Sequence, residues 1–342
     1  MNKIQKEDIL AFVKDFEMTK DIAGSKFLIT GATGLIGSTL AHCLLAMDCG
    51  ISITCPVRNM EKAASLYEDE FKKIHFIESN LQDYLDGLSS QDQFDYVVHC
   101  ASPTAGQYMT EHPVETYELA IESTRALLGF SSQSAVRGMV YVSSLEYYGQ
   151  NFDDRIIDED FQGQIDMSSP RSSYPMGKRA AEYLCAAYAD EFAVPVKIAR
   201  LTQTFGAGVS KDDNRVFAQF ARSVVQGHDI VLHTTGESAK PYCYTTDCVS
   251  ALLYILLKGG NGQAYNVANP DTYISIADMA NFVRQNFNRD INVVIEEHPE
   301  MGYAPVTKLN LSAKKLMGLG WRPFYNLSDM YKRLIIDLQN YL

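Results

Sequence analysis

The chain reads as an α/β protein, a doubly wound parallel sheet joined to a smaller, interleaved C-terminal α/β lobe. Three observations carry that expectation. Short apolar runs bounded by turn residues alternate with helix-length amphipathic segments as far as Leu201. The first apolar run leads at once into a glycine-rich turn and then a helix. The runs are continuously apolar rather than alternating, the mark of strands covered on both faces.

Taken in order, residues 1–23 predict a short amphipathic helix (Ile4, Ile9, Leu10, Phe12, Val13, Phe16) that is an appendage ahead of the first strand. Lys26–Thr30 predicts a strand and Ser38–Met47 a helix. Ile51–Val57, Lys73–Ile77 and Tyr96–Cys100 predict the second, third and fourth strands, with a helix at Glu61–Tyr67. Val114–Phe130 predicts a long helix and Met139–Val142 a fifth strand. A helix follows Pro175 and ends at Val194–Pro195, and Val196–Ala199 predicts the sixth strand. Beyond Leu201 the alternation loosens into helices at Arg215–Gln226, Ser275–Asn286, Ala313–Leu319 and Leu327–Asn340. Cys248–Leu257 predicts a helix that returns to the first domain. The division is therefore an extension (1–23), a first domain (24–200, with a return segment at about 246–267), and a second lobe (201–245 and 268–342).

A net charge of −12 disfavours a general nucleic-acid-binding role, which needs clustered Lys and Arg. An anionic ligand would need a local cationic patch. The longest apolar stretch of the C-terminal half, Ala251–Leu257, is too short to span a bilayer, and the N-terminus carries charge where a signal peptide needs an apolar run. Seven scattered cysteines without a CxxC pair suggest neither a metal site nor a disulfide framework. Cys43, Cys100 and Cys185 read as small core residues. These features point to a cytoplasmic protein with no membrane and no nucleic-acid partner.

Thr30-Gly31-Ala32-Thr33-Gly34-Leu35-Ile36-Gly37 sets three glycines between a strand and a helix. Glycine permits the tight turn and lets backbone approach a pyrophosphate, while the helix N-terminus presents free N–H groups and a positive dipole end. The strand–turn–helix context makes this a dinucleotide loop of Rossmann type, with NAD(P) as cofactor. Val57-Arg58-Asn59, with Lys62 behind, carries cations where an acid would bind the ribose hydroxyls of NAD, which tilts the choice toward NADP over NAD. Arg58 also suits stacking on adenine or plain solvation.

Tyr174-Pro175-Met176-Gly177-Lys178 places a phenol and an ammonium four apart on one helix face. A phenol with a pKa of about 10 is a poor base at neutral pH, and a neighbouring ammonium together with the positive nicotinamide ring lowers it. Tyr174 then accepts a hydroxyl proton while hydride leaves the same carbon. Ser144, just after the fifth strand, suits hydrogen bonding to the reacting oxygen, because strand C-terminal ends are where such sheets place ligands; it also suits simple turn capping.

Together, Gly31-x-x-Gly34-x-x-Gly37, Ser143-Ser144 with Tyr148-Gly149, Tyr174-x-x-x-Lys178 and Gly320-Trp321-Arg322-Pro323 resemble the extended short-chain dehydrogenase/reductases, and among them the NAD-dependent epimerase/dehydratase group acting on nucleotide sugars. The likeness spans about residues 25–325. It implies further cofactor contacts at Asn80, Leu81, Ala101 and Ser102 beside those of Thr33, Leu35 and Ile36. It implies substrate contacts at Arg171, Gln203, Arg215 and Lys240, the last two on the nucleotide diphosphate. It also implies a homodimer through the helices near Val114–Phe130 and Pro175–Phe192.

Members of that group share oxidation at the sugar C4 and differ afterwards in epimerising, dehydrating or decarboxylating. Glu146 suits proton removal at C5 or backbone pairing, whereas Leu145 stands where dehydratases carry an acid. Pro170-Arg171-Ser172-Ser173-Tyr174 is similar to the UDP-glucuronate decarboxylase version, but Val306-Thr307-Lys308 offers only Lys308 where that group has an arginine. Asn80 replaces the usual adenine-binding acid, Ala120 a helix-bracing asparagine, and Gln203 an asparagine. The expected function is a nucleotide-sugar epimerase, dehydratase or decarboxylase with recycled cofactor. An NADPH-dependent reductase of a keto-sugar or small carbonyl compound, and a non-catalytic dinucleotide sensor, are the alternatives.

Overall fold

The structure is a computed structural model that describes residues 1–89, 91–103, 105–297 and 306–340. The apolar runs form strands, here numbered β1 (Lys26–Thr30), β2 (Ser52–Val57), β3 (His75–Glu78), β4 (Tyr96–His99), β5 (Gly138–Ser144), β6 (Ile156–Ile157) and β7 (Val196–Leu201). They continue as β8 (Gln203–Phe205), β9 (Ile230–Leu232), β10 (Ala239–Tyr244), β11 (Ala264–Val267), β12 (Asn269–Ser275), β13 (Val293–Ile295) and β14 (Asn310–Leu311). The large sheet has the order β11-β7-β5-β4-β1-β2-β3, every neighbouring pair parallel. Connections run one way from β1 to β3 and the other way from β4, so the strand order switches between β1 and β4, where such sheets bind ligands.

Continuous apolarity has a direct cause. Phe27 and Ile29 enter one apolar cluster, with the helix Thr245–Lys258, while Leu28 enters another, with the helices Pro113–Gln133 and Ser173–Glu191. Both faces of the sheet are covered, which is why its strands do not alternate in polarity.

The six expected strands form, and a seventh, β11, joins the sheet edge from the return segment, where the sequence reading placed only a helix. Its Asn266 interrupts the apolar pattern, yet it is fully buried. Asn266 Oδ1 accepts from Tyr148 OH at 2.6 Å, and its Nδ2 donates to Ser312 O at 3.0 Å. Long-range partners satisfy a polar residue that reads locally as loop.

The second lobe centres on the sheet β12-β10-β8, in which β10 pairs antiparallel with β12 and parallel with β8. Helices Val216–Gln226, Ile276–Phe287 and Leu327–Leu338 share an aromatic core with it, in which Phe205 stacks on Phe217 at 4.6 Å and tilts against Tyr331 at 5.1 Å. Among the described residues, no helix is long and apolar enough to cross a membrane.

The N-terminal helix, Lys3–Asp15, is no appendage. Asn2 and Gln5 close a capping box at its start, and Ile9, Phe12 and Phe16 sit in the same apolar cluster as Phe27. Asp8, only 4% exposed, accepts from Tyr244 OH and from Arg333 Nη1, each at 2.5 Å. Asp337 accepts from Asn2 Nδ2 and, at 2.9 Å, from the backbone N–H of Gly208. One helix thus joins the sheet domain to β10 and to the last helix. An amphipathic stripe looks the same whether it caps a fold or clamps it, because the partners lie hundreds of residues away.

Desolvation raises the Asp8 carboxyl to about 6 against the opposing Tyr244 hydrogen bond and Arg333 charge, and raises Asp247 to about 7. Both lie above the ordinary carboxylate value, so the folded chain holds protons that the unfolded chain has already released. Their contribution to stability is therefore full at low pH and is lost as pH rises through 6 and 7. Asp8→Asn is expected to flatten the decline of Tm between about pH 4 and 6, read by calorimetry. An unchanged slope would contradict the placement of Asp8.

Candidate active site

The glycine turn is shaped by contacts that leave no room for a side chain. Gly31 has φ +74°, and a Cβ there would lie 2.8 Å from the Ala101 nitrogen. A Cβ on Gly37 would lie 2.4 Å from the Gly31 carbonyl oxygen. Gly34 is the N-cap of the helix Leu35–Ala46, and no side chain caps that helix. The first-turn N–H groups around Leu35 and Ile36 are thus left for an anion, beside Thr33 in the turn. The residues fit a dinucleotide pyrophosphate.

Beneath the turn, Thr30 Oγ1 accepts from the Ala101 N–H at 3.2 Å and pairs with His99 Nδ1 at 2.7 Å. His99 Nε2 in turn meets Ser123 Oγ at 3.1 Å, and burial pushes its imidazole down to about 3, leaving it neutral. This chain of bonds fixes the end of β4, and with it Ala101 and Ser102, against β1.

Arg58 follows β2 directly and is exposed, while Asn59 caps the next helix through Lys62 N at 2.7 Å. Asn80 is engaged in its own helix cap: its Oδ1 accepts from Asp83 N at 3.1 Å and its Nδ2 donates to Asp83 Oδ2 at 2.7 Å. Leu81 packs on the apolar cluster beneath the second sheet face.

Three elements bring the catalytic candidates together. Ser144 ends β5 and accepts the Glu146 N–H at 3.2 Å. Tyr174 opens the helix Ser173–Glu191, with Ser144 and Ser102 close enough to its phenol to oppose the rise in its pKa. Lys178, one turn on and 2% exposed, donates from Nζ to Val142 O at 2.9 Å and lies 5.5 Å from the Tyr174 ring centre. Glu146 is held by Arg171 Nη2 at 2.8 Å, and the Arg171 guanidinium lies 5.7 Å from the same ring.

Within the protein alone, burial is the largest influence on the Tyr174 phenol. Desolvation, with the Glu146 carboxylate adding to it, raises the phenol to about 12 against the opposing Ser144 bond. Desolvation likewise brings the Lys178 ammonium down to about 8, and its Nζ is turned to Val142 O. Glu182, whose carboxylate raises Lys178, lies four residues on along the helix, and the sequence reading missed it. Its signal was a charged residue at the next i+4 position on the Tyr174–Lys178 face.

The substrate candidates divide. Gln203 stands at the start of β8 with its Oε1 buried and unpartnered. Lys240, on β10, is close enough to Glu146 for that carboxylate to oppose the desolvation that lowers its ammonium. Arg171 keeps one buried nitrogen, Nη1, unbonded. Arg215 is placed otherwise: its Nε and Nη2 donate to Asp213 at 3.0 and 2.5 Å, and it lies over Phe217. Lys308 is bonded to Asp154 at 2.7 Å, and the Leu145 side chain is buried with Tyr148, Ile157, Leu309 and Leu311.

Residues 27–268 match the profile of the NAD dependent epimerase/dehydratase family. UDP-glucuronic acid decarboxylase 1 of Xenopus tropicalis is 26% identical over 317 residues, covering 91% of this chain and 71% of the relative. The crystal structure of a UDP-glucose 4-epimerase with UDP-glucose from Thermotoga maritima is similar at TM-score 0.80 and 20% identity, covering 92% of this chain and 99% of that one. A UDP-glucuronic acid 4-epimerase from Bacillus cereus in complex with NAD is similar at TM-score 0.72 and 20% identity, covering 92% and 97%.

Gly37→Ala drives a methyl group into the Gly31 backbone, so NADH binding followed by nicotinamide fluorescence should weaken by at least about tenfold. Undiminished affinity would remove the glycine turn from the cofactor site.

Proposed function

The chain belongs to the NAD dependent epimerase/dehydratase family, and from that premise we propose that it oxidises the C4 hydroxyl of a nucleotide-diphosphate sugar, with NAD(P) held in the glycine turn. The observation that carries this reading is the convergence of Ser144, Ser102 and Lys178 on Tyr174. A bound oxidised nicotinamide supplies the hydride acceptor and a positive charge. Ser144 Oγ orients the sugar hydroxyl, and Tyr174 OH accepts its proton. A phenol raised to about 12 needs local positive charge to do so. Lys178, protonated below about pH 8 and bonded through one of its three donors, has others for the cofactor ribose.

Lys240 is proposed to hold the diphosphate through its half-buried ammonium, and Gln203 to donate to it from Nε2, while the buried, unpartnered Gln203 Oε1 calls for a donor such as a ligand hydroxyl. Arg215 joins them only by leaving Asp213. Leu145, turned into an apolar cluster, supplies no acid to expel a hydroxyl group. Glu146 is paired with Arg171 beside Tyr174. This pattern favours epimerisation or decarboxylation over dehydration, and the relatives point to UDP-glucuronate as the first substrate to offer. Arg58, which forms no ion pair among the described residues, supports NADP and with it the second reading, a net NADPH-dependent reduction. Exposed Val114, Tyr117 and Tyr183 on the two long helices support a homodimer.

Offering UDP-glucuronate and UDP-glucose with either cofactor, and weighing the products, tests the reaction. Loss of carbon dioxide or an unchanged mass with a new sugar is expected. Loss of water, or stoichiometric consumption of NADPH, would contradict the leading reading. Tyr174→Phe should lower kcat by about 10²–10⁴-fold. The kcat/KM of the wild type should fall as pH rises above about 8, where Lys178 loses its proton.

A further inference from the structure

A cavity of about 220 Å3 lies between the end of the N-terminal helix and the turn from Gly320 to Tyr325. Six aromatic side chains line it: Phe12, Phe16, Tyr254, Trp321, Phe324 and Tyr325. Phe12 stacks on Phe16 at 5.3 Å, and Phe16 meets Tyr254 edge-on at 6.1 Å. Across the cavity, Phe324 meets Tyr325 at 5.0 Å and 76°. Neither wall lies wholly within the family-matched residues 27–268, and none of Ser144, Tyr174 and Lys178 lines the space.

The charged groups around it are unequal. Asp15 and Glu17 line the cavity from the helix end and are exposed, and Asp247 accepts the backbone N–H groups of Phe324 and Tyr325, each at 3.0 Å. The lining cation is Arg322, and its Nη1 donates to two backbone carbonyls, those of Met317 and Trp321, at 2.6 Å each. No lysine lines the cavity, although Lys258 Nζ lies 5.0 Å from the centre of the Tyr254 ring. The electron-rich faces of such rings attract cations, and nearby carboxylates repel anions.

We propose that this aromatic cavity binds a small organic cation, a quaternary or alkyl ammonium ion. The rings supply contact area. Those other than Tyr254 and Tyr325, which Lys258 and Arg333 already face at 5.0 and 5.3 Å, supply cation–π attraction. Asp15 and Glu17 supply the countercharge that an uncharged guest would not use. Occupancy joins Ala11–Glu17 to the Gly320–Tyr325 turn, so it also strengthens the seat of the N-terminal helix.

Trp321 is the single tryptophan of the chain, so its emission reports on the cavity directly. The probe is choline chloride, titrated against sodium chloride at equal ionic strength and against the uncharged isostere in which carbon replaces the ammonium nitrogen. A saturable change with choline is expected, with the isostere about tenfold weaker. Phe324, 71% exposed, is replaceable without loss of core, so Phe324→Ala should weaken choline several-fold at unchanged Tm in the absence of choline. The double variant Asp15→Asn, Glu17→Gln should weaken it likewise. No response beyond that to sodium chloride, equal affinity for the isostere, or full affinity in Phe324→Ala would each overturn the proposal.

Discussion

The buried pair Glu182–Arg200 sets the register on which the site depends. Arg200, on β7, donates from Nη2 to Glu182 Oε2 at 2.7 Å and from Nε to both carboxylate oxygens at 3.1 and 3.0 Å. Ser143 Oγ adds a bond to Glu182 Oε1 at 2.5 Å. Glu182 thus ties the helix of Tyr174 and Lys178 to β7 and to the residue just before Ser144. Removing one partner of such a pair typically costs about 3–5 kcal/mol, because it leaves a charge buried alone. Arg200 extends the tie outward, donating to Tyr148 OH at 3.0 Å and to Glu159 O at 2.7 Å while its guanidinium lies 3.4 Å from the Tyr147 ring centre. Tyr148 carries the network on to Asn266 in β11.

A second constraint joins the lobes. The helix Thr245–Lys258 belongs to the core of the first domain although it follows β10 of the second, so the two share chain as well as surface. The N-terminal helix adds a polar clamp through Asp8 and Asp337, the latter bonded to the backbone just beyond β8. Gln203, at the start of β8, is thereby held in a segment braced from behind. The proposed substrate contact at Gln203 and the clamp are linked through the loop of Gly206 to Gly208.

Local chemistry was legible in the sequence where spacing alone defines it. Three glycines, the Tyr174–Lys178 interval and Ser144 at a strand end each state their geometry within a few residues. The strands were legible because burial on both faces leaves a continuous apolar run. What stayed hidden depends on partners distant in the chain. Asp8 reads as a solvated charge until Tyr244 and Arg333 reach it. Arg215 reads as a free cation until Asp213 takes its fork, even though that partner is two residues away, because side-chain direction is not a matter of spacing. The desolvation that raises the phenol of Tyr174 also stayed hidden, because burial at that position is set by elements distant in the chain.

On the proposed function, the register imposed by Glu182 and Arg200 has one direct consequence, that Ser144 and Tyr174 are set to act on a single substrate oxygen. A double-mutant cycle on kcat/KM, with Ser144→Ala, Tyr174→Phe and the double variant, measures this. Groups that share one oxygen should give effects far from additive, with the double variant little worse than Tyr174→Phe alone. Fully additive losses would contradict the shared oxygen and the geometry built on it.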